Sequence, residues 1–310
     1  MSMPGVGIFA RRADPIAQHL AARLQARGAE VEIIELGRLA VGAPLAYDVE
    51  EWLYEGVELC GLDAFYVRQV PAETAMLAEP QTTATAAEWW QRAVKAKERW
   101  HLAQSCLMHL ELLGKRAVNP AASVPYDYKP LQLAVLQRAG IRVPRTLISN
   151  FPDAVRAFAS DVGDVIFKPV GGGTETASLD EAALARLDQL AVAPVIFQER
   201  IKGPDIRVTI VAGRIVSCVE IPTSTAVDYR LDPSYRAGGQ QYVPHELPVE
   251  QQQWCLKAAE LCHQVVSGVD LKKGADGYVM LEANSGPVYL DIELKTGAPI
   301  TDAIVDALLS

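Results

Sequence analysis

The chain has 310 residues, of which 50% are hydrophobic, and this length predicts about two domains with a sizeable core. Its formal net charge of −9 disfavours a nucleic-acid partner, because phosphate backbones are bound mainly by clustered Lys and Arg. No apolar run approaches the ~18 residues of a membrane helix, and the N-terminus lacks a signal-peptide pattern, so we expect a cytoplasmic protein without a membrane partner.

Residues 1–118 predict an open α/β domain. The stretch "GVGIFA" predicts a strand, Asp14 and Pro15 are typical of a helix start, and Gly28 ends that helix before the strand "EVEIIEL". A third strand is predicted at "LDAFYVRQV". From Glu88 to about Leu113, apolar residues recur at spacings of three and four, which predicts a long helix with one apolar face. That face belongs either to the domain core or to the seam of a homodimer.

Residues 119–195 predict a smaller α+β domain, and residues 196–310 a third domain. In the smaller domain, a helix starts near Pro130 and ends at Gly140, the strand "RVPRTLIS" follows, and further helices begin after Pro152 and Asp180. The stretch "DIRVTIVAGRIVSCVEI" in the third domain predicts two strands joined by a turn at "AG". The whole chain is therefore predicted to be α/β, with α+β parts.

Three glycines follow the predicted strand that ends with Lys168 and Pro169. Glycine triplets are costly in chain entropy, and their common use is to let backbone amides close over a bound anion. A Walker A loop places its Lys after the glycines, so the order here excludes a P-loop. Lys168 is then expected to contact phosphates from a strand, and a plain glycine turn is the alternative. The amides expected to fold over the phosphates are those of Gly171, Gly172, Gly173 and Thr174.

The stretch "GVDLKKGADGYVMLEANSG" predicts a hairpin that carries metal ligands. Side chains alternate along a strand, so Glu282 and Asn284 share one face, and a turn near Ala275 places Asp270 on the same face. Mg²⁺ prefers oxygen ligands and is normally held by one or two carboxylates plus substrate phosphates. The alternative is a polar edge hairpin with solvated acids, which the apolar "YVML" disfavours. We therefore expect a Mg²⁺ site at these three residues.

Seven motifs between about residues 119 and 299 occur in the order of a known superfamily. They are "YKPLQLAVLQRAGIRVP", "IFKPVGGG", "VIFQERIKGPDIRV", "DYR", "GVDL", "LEAN" and "TGAPI". On these motifs the chain resembles the ATP-grasp superfamily, and within it the RimK-type carboxylate-amine ligases, which include glutathione synthetases and graspetide (microviridin-type) peptide ligases. The resemblance implies an ATP-grasp fold with an N-terminal open α/β (pre-ATP-grasp) domain. The family's metal motif usually reads Glu-x-Asn-Pro, whereas Ser285 follows Asn284 here.

The resemblance also implies a role for each motif around bound ATP and Mg²⁺, with two ions, or Mn²⁺ as a substitute, as variants. Lys129 and Lys168 contact the phosphates, and the glycine loop forms a flexible lid. Asp205 or Glu199 lies near the ribose. The metal ligands are Asp270, Glu282 and Asn284, and the adenine hinge is formed by Gln198, Glu199, Arg200 and Ile201.

In the chemistry that the resemblance implies, a substrate carboxylate is activated as an acyl phosphate with release of ADP and is then joined to an amine. Arg207 and Arg230 are candidates for binding the carboxylate and its oxyanion, because guanidinium presents a planar fork; ordinary surface arginines are the alternative. The substrate, a small molecule or a peptide, stays open among an amino acid, a small peptide and a ribosomal precursor peptide. Two rival functions are a nucleotide-binding protein of the same fold without ligase activity and a phosphotransferase that stops after phosphoryl transfer.

Overall fold

The structure is a computed structural model that describes residues 3–68, 85–171, 176–222 and 239–310. The chain forms two compact units. The first contains the chain up to Ala121 together with Val288–Leu290 and Pro299–Ser310, and the second contains Ala122–Pro287 and Asp291–Ala298. The last helix thus belongs to the first unit. The finer division at residues 118 and 195 stays a prediction.

The first unit is built on a parallel sheet. In chain order its elements are β1 (Gly5–Phe9), α1 (Pro15–Ala26), β2 (Glu30–Ile34), β3 (Leu45–Tyr47), β4 (Trp52–Tyr54), β5 (Val57–Glu58), β6 (Ala64–Val67), α2 (Ala86–Leu112) and β7 (Arg116–Val118). The parallel strands are ordered β2-β1-β6-β7. Strands β3, β4 and β5 form a separate small antiparallel sheet that the sequence did not predict.

Helix α1 begins as its sequence predicted. The carboxylate of Asp14 accepts hydrogen bonds from the amides of Ile16 and Ala17 at 2.8 and 3.2 Å, and Pro15 occupies the first turn, where a missing amide hydrogen costs nothing. Leu20 and Leu24 are buried on the same face as Ile16. The predicted cap and helix start are therefore confirmed.

The long helix α2 packs into the core along its C-terminal part. Thr85 and Glu88 form a capping box at its start. Its residues Ala96, Ala103, Cys106, Leu107 and Leu110 are buried in one cluster with the small sheet. Trp89 and Trp90, near its N-terminus, are 56% and 71% exposed. The core interpretation thus holds for the C-terminal part of this helix.

The second unit contains two antiparallel sheets. Its elements are α3 (Lys129–Arg138), β8 (Thr146–Ser149), α4 (Pro152–Val162), β9 (Val165–Pro169), β10 (Ala177–Ser178), α5 (Glu181–Leu184), β11 (Val195–Glu199), β12 (Asp205–Val211), β13 (Arg214–Ile221), β14 (Val243–Pro244), α6 (Val249–Leu261), β15 (Val266–Gly274), β16 (Gly277–Asn284) and α7 (Leu290–Thr296). The strand orders are β10-β9-β11-β8 and β14-β13-β12-β15-β16. Helix α8 (Ile300–Leu309) follows and packs on α1 in the first unit.

The five-stranded sheet has one apolar and one polar face, because side chains alternate along each strand. Its apolar face is buried against α3 and α6 in a cluster that includes Ile206, Val208, Val269, Leu271, Met280 and Ala283. Gly274 pairs with Gly277 in the hairpin of β15 and β16, so the turn falls at Ala275 and Asp276, as predicted. The alternation is interrupted once in the hairpin, where the pairing register shifts by one residue between Asp270 and Leu271 and Leu281 is left without a partner residue on β15.

No helix within the four described ranges combines the length and apolar character that crossing a membrane requires.

Candidate active site

The polar face of the five-stranded sheet carries a row of charged residues. Arg207 on β12 lies directly opposite Asp270 on β15, and Asp270 lies opposite Glu282 on β16. Directly paired residues of neighbouring strands project their side chains from the same face. Asn284, two residues beyond Glu282, therefore joins the same face.

The structure brings the three predicted metal ligands into mutual contact. The side-chain amide of Asn284 donates to Glu282 Oε1 at 3.1 Å and to Asp270 Oδ2 at 3.3 Å. Two carboxylates and one amide fit the oxygen ligands that Mg²⁺ takes together with substrate phosphates. The amide must rotate to offer its oxygen rather than its nitrogen. The described part of the chain contains no group of three or more His, Cys, Asp or Glu that is arranged to hold a metal ion.

Glu282 lies beside two lysines that come from different elements. Lys129, at the start of α3, donates from Nζ to Glu282 Oε2. Burial alone would raise the pKa of Glu282, but the ammonium group of Lys129 and then that of Lys168 outweigh burial and lower the pKa to about 2. Glu282 is therefore ionised at neutral pH.

Asp270 is held by a buried guanidinium. Arg207 is 8% exposed, and its Nε and Nη2 donate to Oδ1 and Oδ2 of Asp270, the second at 3.0 Å. Burial raises the pKa of Asp270 to about 6; Arg207 opposes this shift and the nearby Glu282 carboxylate adds to it. The structure thus places Arg207 on the carboxylate of Asp270, and its predicted contact with substrate stays a prediction.

The predicted adenine hinge continues from β11. Gln198 is buried, and its side-chain amide donates to Thr146 Oγ1 at 2.9 Å. The backbone amides of Glu199 and Arg200 already donate to the carbonyls of Arg145 and Asp164, at 3.0 and 2.9 Å. The side chain of Gln198 and these two amides therefore serve the fold.

The remaining predicted residues fall at the ends of strands or outside the described residues. Asp205, at the start of β12, forms an ion pair with Lys272 at 2.9 Å, and each side chain is 14% exposed. Gly171 follows β9, with open space where a Cβ atom would be. Four predicted site residues lie outside the described residues: Gly172, Gly173, Thr174 and Arg230.

Two contacts near the end of β16, the strand of Glu282 and Asn284, were not predicted. Ser285, at the position where the family motif usually has Pro, donates to Asp127 Oδ2 at 2.8 Å. The buried side chain of Gln132 binds the backbone of Ala283, which lies between Glu282 and Asn284. A glutamine among the apolar positions of "LQLAVL" was the only sequence signal for the second contact.

Comparison with known proteins identifies relatives along the whole chain. A curated relative from Teredinibacter turnerae, named a probable alpha-L-glutamate ligase, is 29% identical over 214 residues, which cover 65% of this chain and 70% of that protein. A protein of the same name from Vibrio cholerae is 26% identical over 315 residues and covers 97% of this chain and 94% of its own.

Solved structures show the same fold. The ATP-grasp ligase PsnB, in complex with a minimal precursor, superposes with a TM-score of 0.84 at 28% identity and covers 100% of this chain and 99% of its own. The macrocyclase MdnC from Microcystis aeruginosa MRC, with 22% identity, a TM-score of 0.81 and 99% of both chains covered, agrees in fold. The predicted α/β ATP-grasp fold is thereby confirmed.

The family model for the RimK-like ATP-grasp domain matches residues 127–308, more than half of the chain. The match begins two residues before Lys129 and includes both sheets of the second unit and the three predicted metal ligands. The resemblance inferred from the motifs is therefore confirmed, and the chain belongs to the RimK-like ATP-grasp family.

Proposed function

We propose that the protein is an ATP- and Mg²⁺-dependent ligase that activates a substrate carboxylate as an acyl phosphate, releases ADP and joins the acyl group to an amine. The observation that carries the proposal is the surroundings of Glu282. Lys129 binds one oxygen of its carboxylate and Asn284 the other, Asp270 lies opposite on the neighbouring strand, and the charge of Lys168 also acts on it. The carboxylate of Glu282 therefore lies next to lysines that can bind phosphates and next to oxygen ligands that can bind a metal ion.

In this proposal Asp270, Glu282 and Asn284 hold one or two Mg²⁺ ions, and Mn²⁺ substitutes because it accepts the same oxygen ligands. The bound metal supplies positive charge to the phosphoryl group during its transfer. When nucleotide binds, Lys129 exchanges Glu282 for a phosphate oxygen, and Lys168 contacts the phosphates as well. Arg207 keeps Asp270 in place through its fork of two hydrogen bonds.

The adenine ring would bind at the hinge through main-chain groups. Since the amides of Glu199 and Arg200 are engaged, the groups that support this role are the carbonyl of Glu199 and the amide of Ile201, which lacks a hydrogen-bond partner among the described residues. A carbonyl and an amide two residues apart match the donor and acceptor on one edge of adenine. Either Asp205 or Glu199 would contact the ribose.

The proposed reaction has two displacements. A carboxylate oxygen of the substrate attacks the γ-phosphorus of ATP, and the bond to the bridging oxygen breaks to release ADP. The amine nitrogen then attacks the acyl carbon, phosphate leaves, and the nitrogen loses a proton to solvent. This chain's residues bind and orient the reactants, and Arg230, with Arg207 if it releases Asp270, would stabilise the oxyanion.

For the substrate, we propose a peptide that supplies the carboxylate. PsnB, which is similar along its full length, was solved with a precursor peptide and with AMPPNP. A free amino acid is the alternative, supported by the name alpha-L-glutamate ligase of the curated relatives. Both substrates fit the same carboxylate chemistry.

Two further parts of the proposal concern assembly and location. The exposed Trp89, Trp90 and Val94 near the start of α2 support a homodimer in which this helix end is covered by a second copy. Light scattering of the wild type and of Trp90→Ser tests this: a wild-type monomer would contradict it.

The five cysteines are all free, which supports a reducing, cytoplasmic location.

The experiment that tests the proposed function is ADP formation by the purified protein with ATP, Mg²⁺ and candidate carboxylates, with hydroxylamine added to trap an acyl phosphate as the hydroxamate. We expect ADP and hydroxamate in equal amounts. Phosphorylated substrate that hydroxylamine does not convert would indicate a phosphotransferase, and nucleotide binding without ADP formation for any carboxylate would indicate a binding protein.

A further inference from the structure

Strand β16, which carries Glu282 and Asn284, is the last strand in its sheet. One edge of such a strand presents backbone groups that no neighbouring strand can pair. At Ala283 this edge is paired by a side chain. Gln132 Nε2 donates to the carbonyl of Ala283 at 2.7 Å, and the amide of Ala283 donates to Gln132 Oε1 at 3.0 Å.

The orientation of the Gln132 amide is fixed by a third hydrogen bond. Its Nε2 also donates to the carbonyl of Tyr126 at 2.7 Å, and the residue is only 3% exposed. Rotating the amide by half a turn would place Oε1 against two carbonyl oxygens and the NH₂ group against the Ala283 amide. The side-chain amide of Gln132 therefore has one stable orientation. In this orientation its NH₂ group and its oxygen take the places of the backbone donor and acceptor that a neighbouring strand would offer to Ala283.

This contact lies directly behind the charged row. Ala283 points into the apolar core, and Glu282 and Asn284, on either side of it, point to the polar face. Gln132 is also one helical turn after Lys129, which donates to Glu282. One turn of α3 thus holds β16 both by its backbone and by its carboxylate.

We propose that Gln132 is a positioning residue that fixes Glu282 and Asn284 for Mg²⁺–nucleotide binding; this inference rests on the proposed function. Residues that orient metal ligands from behind typically change metal affinity by about 10- to 100-fold when replaced. Gln264 offers a graded comparison. Its Nε2 donates to the same carbonyl of Ala283 at 3.1 Å, but it does not contact the Ala283 amide.

The test compares Gln132→Met, which keeps the length of the side chain and removes its hydrogen bonds, with Gln251→Met. Gln251 is a matched control, because it is 8% exposed, lies on α6 and bonds only the side chain of Glu250 among the described residues. Two measurements are made on the full chain. Titration of MgCl₂ into protein saturated with AMPPNP gives the Mg²⁺ affinity, and hydrogen exchange of the Ala283 amide reports how firmly its hydrogen bond to Gln132 is held.

We expect Gln132→Met to weaken Mg²⁺ binding by about tenfold or more and to accelerate exchange at Ala283. Gln264→Met should have a smaller effect, and Gln251→Met none. In an Asn284→Ala background, the effect of Gln132→Met on Mg²⁺ should be smaller than in the wild type, because the part that acts through Asn284 is already lost and only the part that acts through Glu282 remains.

The inference is overturned if Ala283 exchanges faster in Gln132→Met while Mg²⁺ binds as in the control. If Gln132→Met does not fold, Gln132→Glu takes its place, because it keeps the acceptor for the Ala283 amide and loses the donor. Faster exchange at Ala283 with Mg²⁺ binding as in the control again overturns the inference. A wild type that fails to bind AMPPNP would instead overturn the proposed function, and with it the role of Gln132 for the metal.

Discussion

Lys129 donates a hydrogen bond to Glu282, although 153 residues separate them in sequence. The ammonium group comes from the first turn of α3, and the carboxylate lies on the edge strand of the large sheet. Each side chain is about one quarter exposed, at 22% and 24%. Without a metal or nucleotide, the lysine thus neutralises the carboxylate that we assign to Mg²⁺.

Replacing Lys129 with Met should weaken ATP binding by about 10- to 150-fold, because a hydrogen bond to a charged group is worth about 1.5–3 kcal/mol. Met retains the aliphatic stem and removes the charge. The measurement is calorimetric titration with AMPPNP, with the exposed Lys257→Met as the control. Unchanged affinity in Lys129→Met would show that Lys129 serves only Glu282.

Lys168→Ala should weaken nucleotide binding and abolish turnover while the fold survives. Lys168 lies at the end of β9, and its charge helps to lower the pKa of Glu282. Its removal therefore takes away a cation that we assign to the phosphates, but no core side chain. Nucleotide titration and circular dichroism check this, and a variant with wild-type affinity would remove Lys168 from the phosphate site.

Mg²⁺ affinity should fall as the pH drops below about 6, by up to tenfold per pH unit, because a proton on Asp270 competes with the metal. The pKa of Asp270 is raised from 3.8, so its ionised form destabilises the metal-free protein, and this cost appears as the pH rises from about 4 through about 6. Mg²⁺ offsets that cost when it binds.

The control for this pH dependence is Asp270→Asn, since protonation of the nucleotide itself affects both proteins equally. Mg²⁺ titrations of AMPPNP-saturated protein between pH 5 and 8 should give a steeper profile for the wild type than for the variant. Parallel profiles would show that Asp270 does not titrate at the metal site.

Arg207→Lys distinguishes the two roles considered for this arginine. The substitution keeps the charge but loses the fork that binds both oxygens of Asp270. If Arg207 acts through Asp270, the Mg²⁺ concentration for half-maximal ADP formation should rise about tenfold with little change in KM for the carboxylate. The exposed Arg156→Lys is the control. A change confined to the carboxylate KM would instead indicate direct substrate binding.

The sequence predicted the parts of the site that depend on local periodicity. Alternation along β16 was sufficient to place Glu282 and Asn284 on one face, whereas Asp270 lies opposite Glu282 only because the pairing register shifts by one residue between Asp270 and Leu271, which the sequence did not predict. In the same way, Asp14 and Pro15 predicted the start of α1, because helix capping involves only near neighbours.

The contacts that the sequence did not predict join distant segments. Arg207 pairs with Asp270 across 63 residues, and Gln132 with Ala283 across 151, so neither follows from spacing within one element. Helix α8 gave no local signal that it packs on α1, where Arg23 and Arg27 meet Asp302 and Asp306. The strands β3, β4 and β5, of two or three residues each, are too short for a periodic pattern.

The central claim is that Glu282 anchors the metal for phosphoryl transfer, and Glu282→Gln tests it most directly. This substitution keeps the shape of the side chain and removes its negative charge. ADP formation with the carboxylate substrate is measured across a Mg²⁺ titration for the wild type, Glu282→Gln and the exposed control Glu260→Gln. We predict that turnover falls about 100-fold or more in Glu282→Gln and that high Mg²⁺ restores part of it, while the control matches the wild type. Near-normal turnover of Glu282→Gln at low Mg²⁺ would place the metal elsewhere and contradict the proposed mechanism.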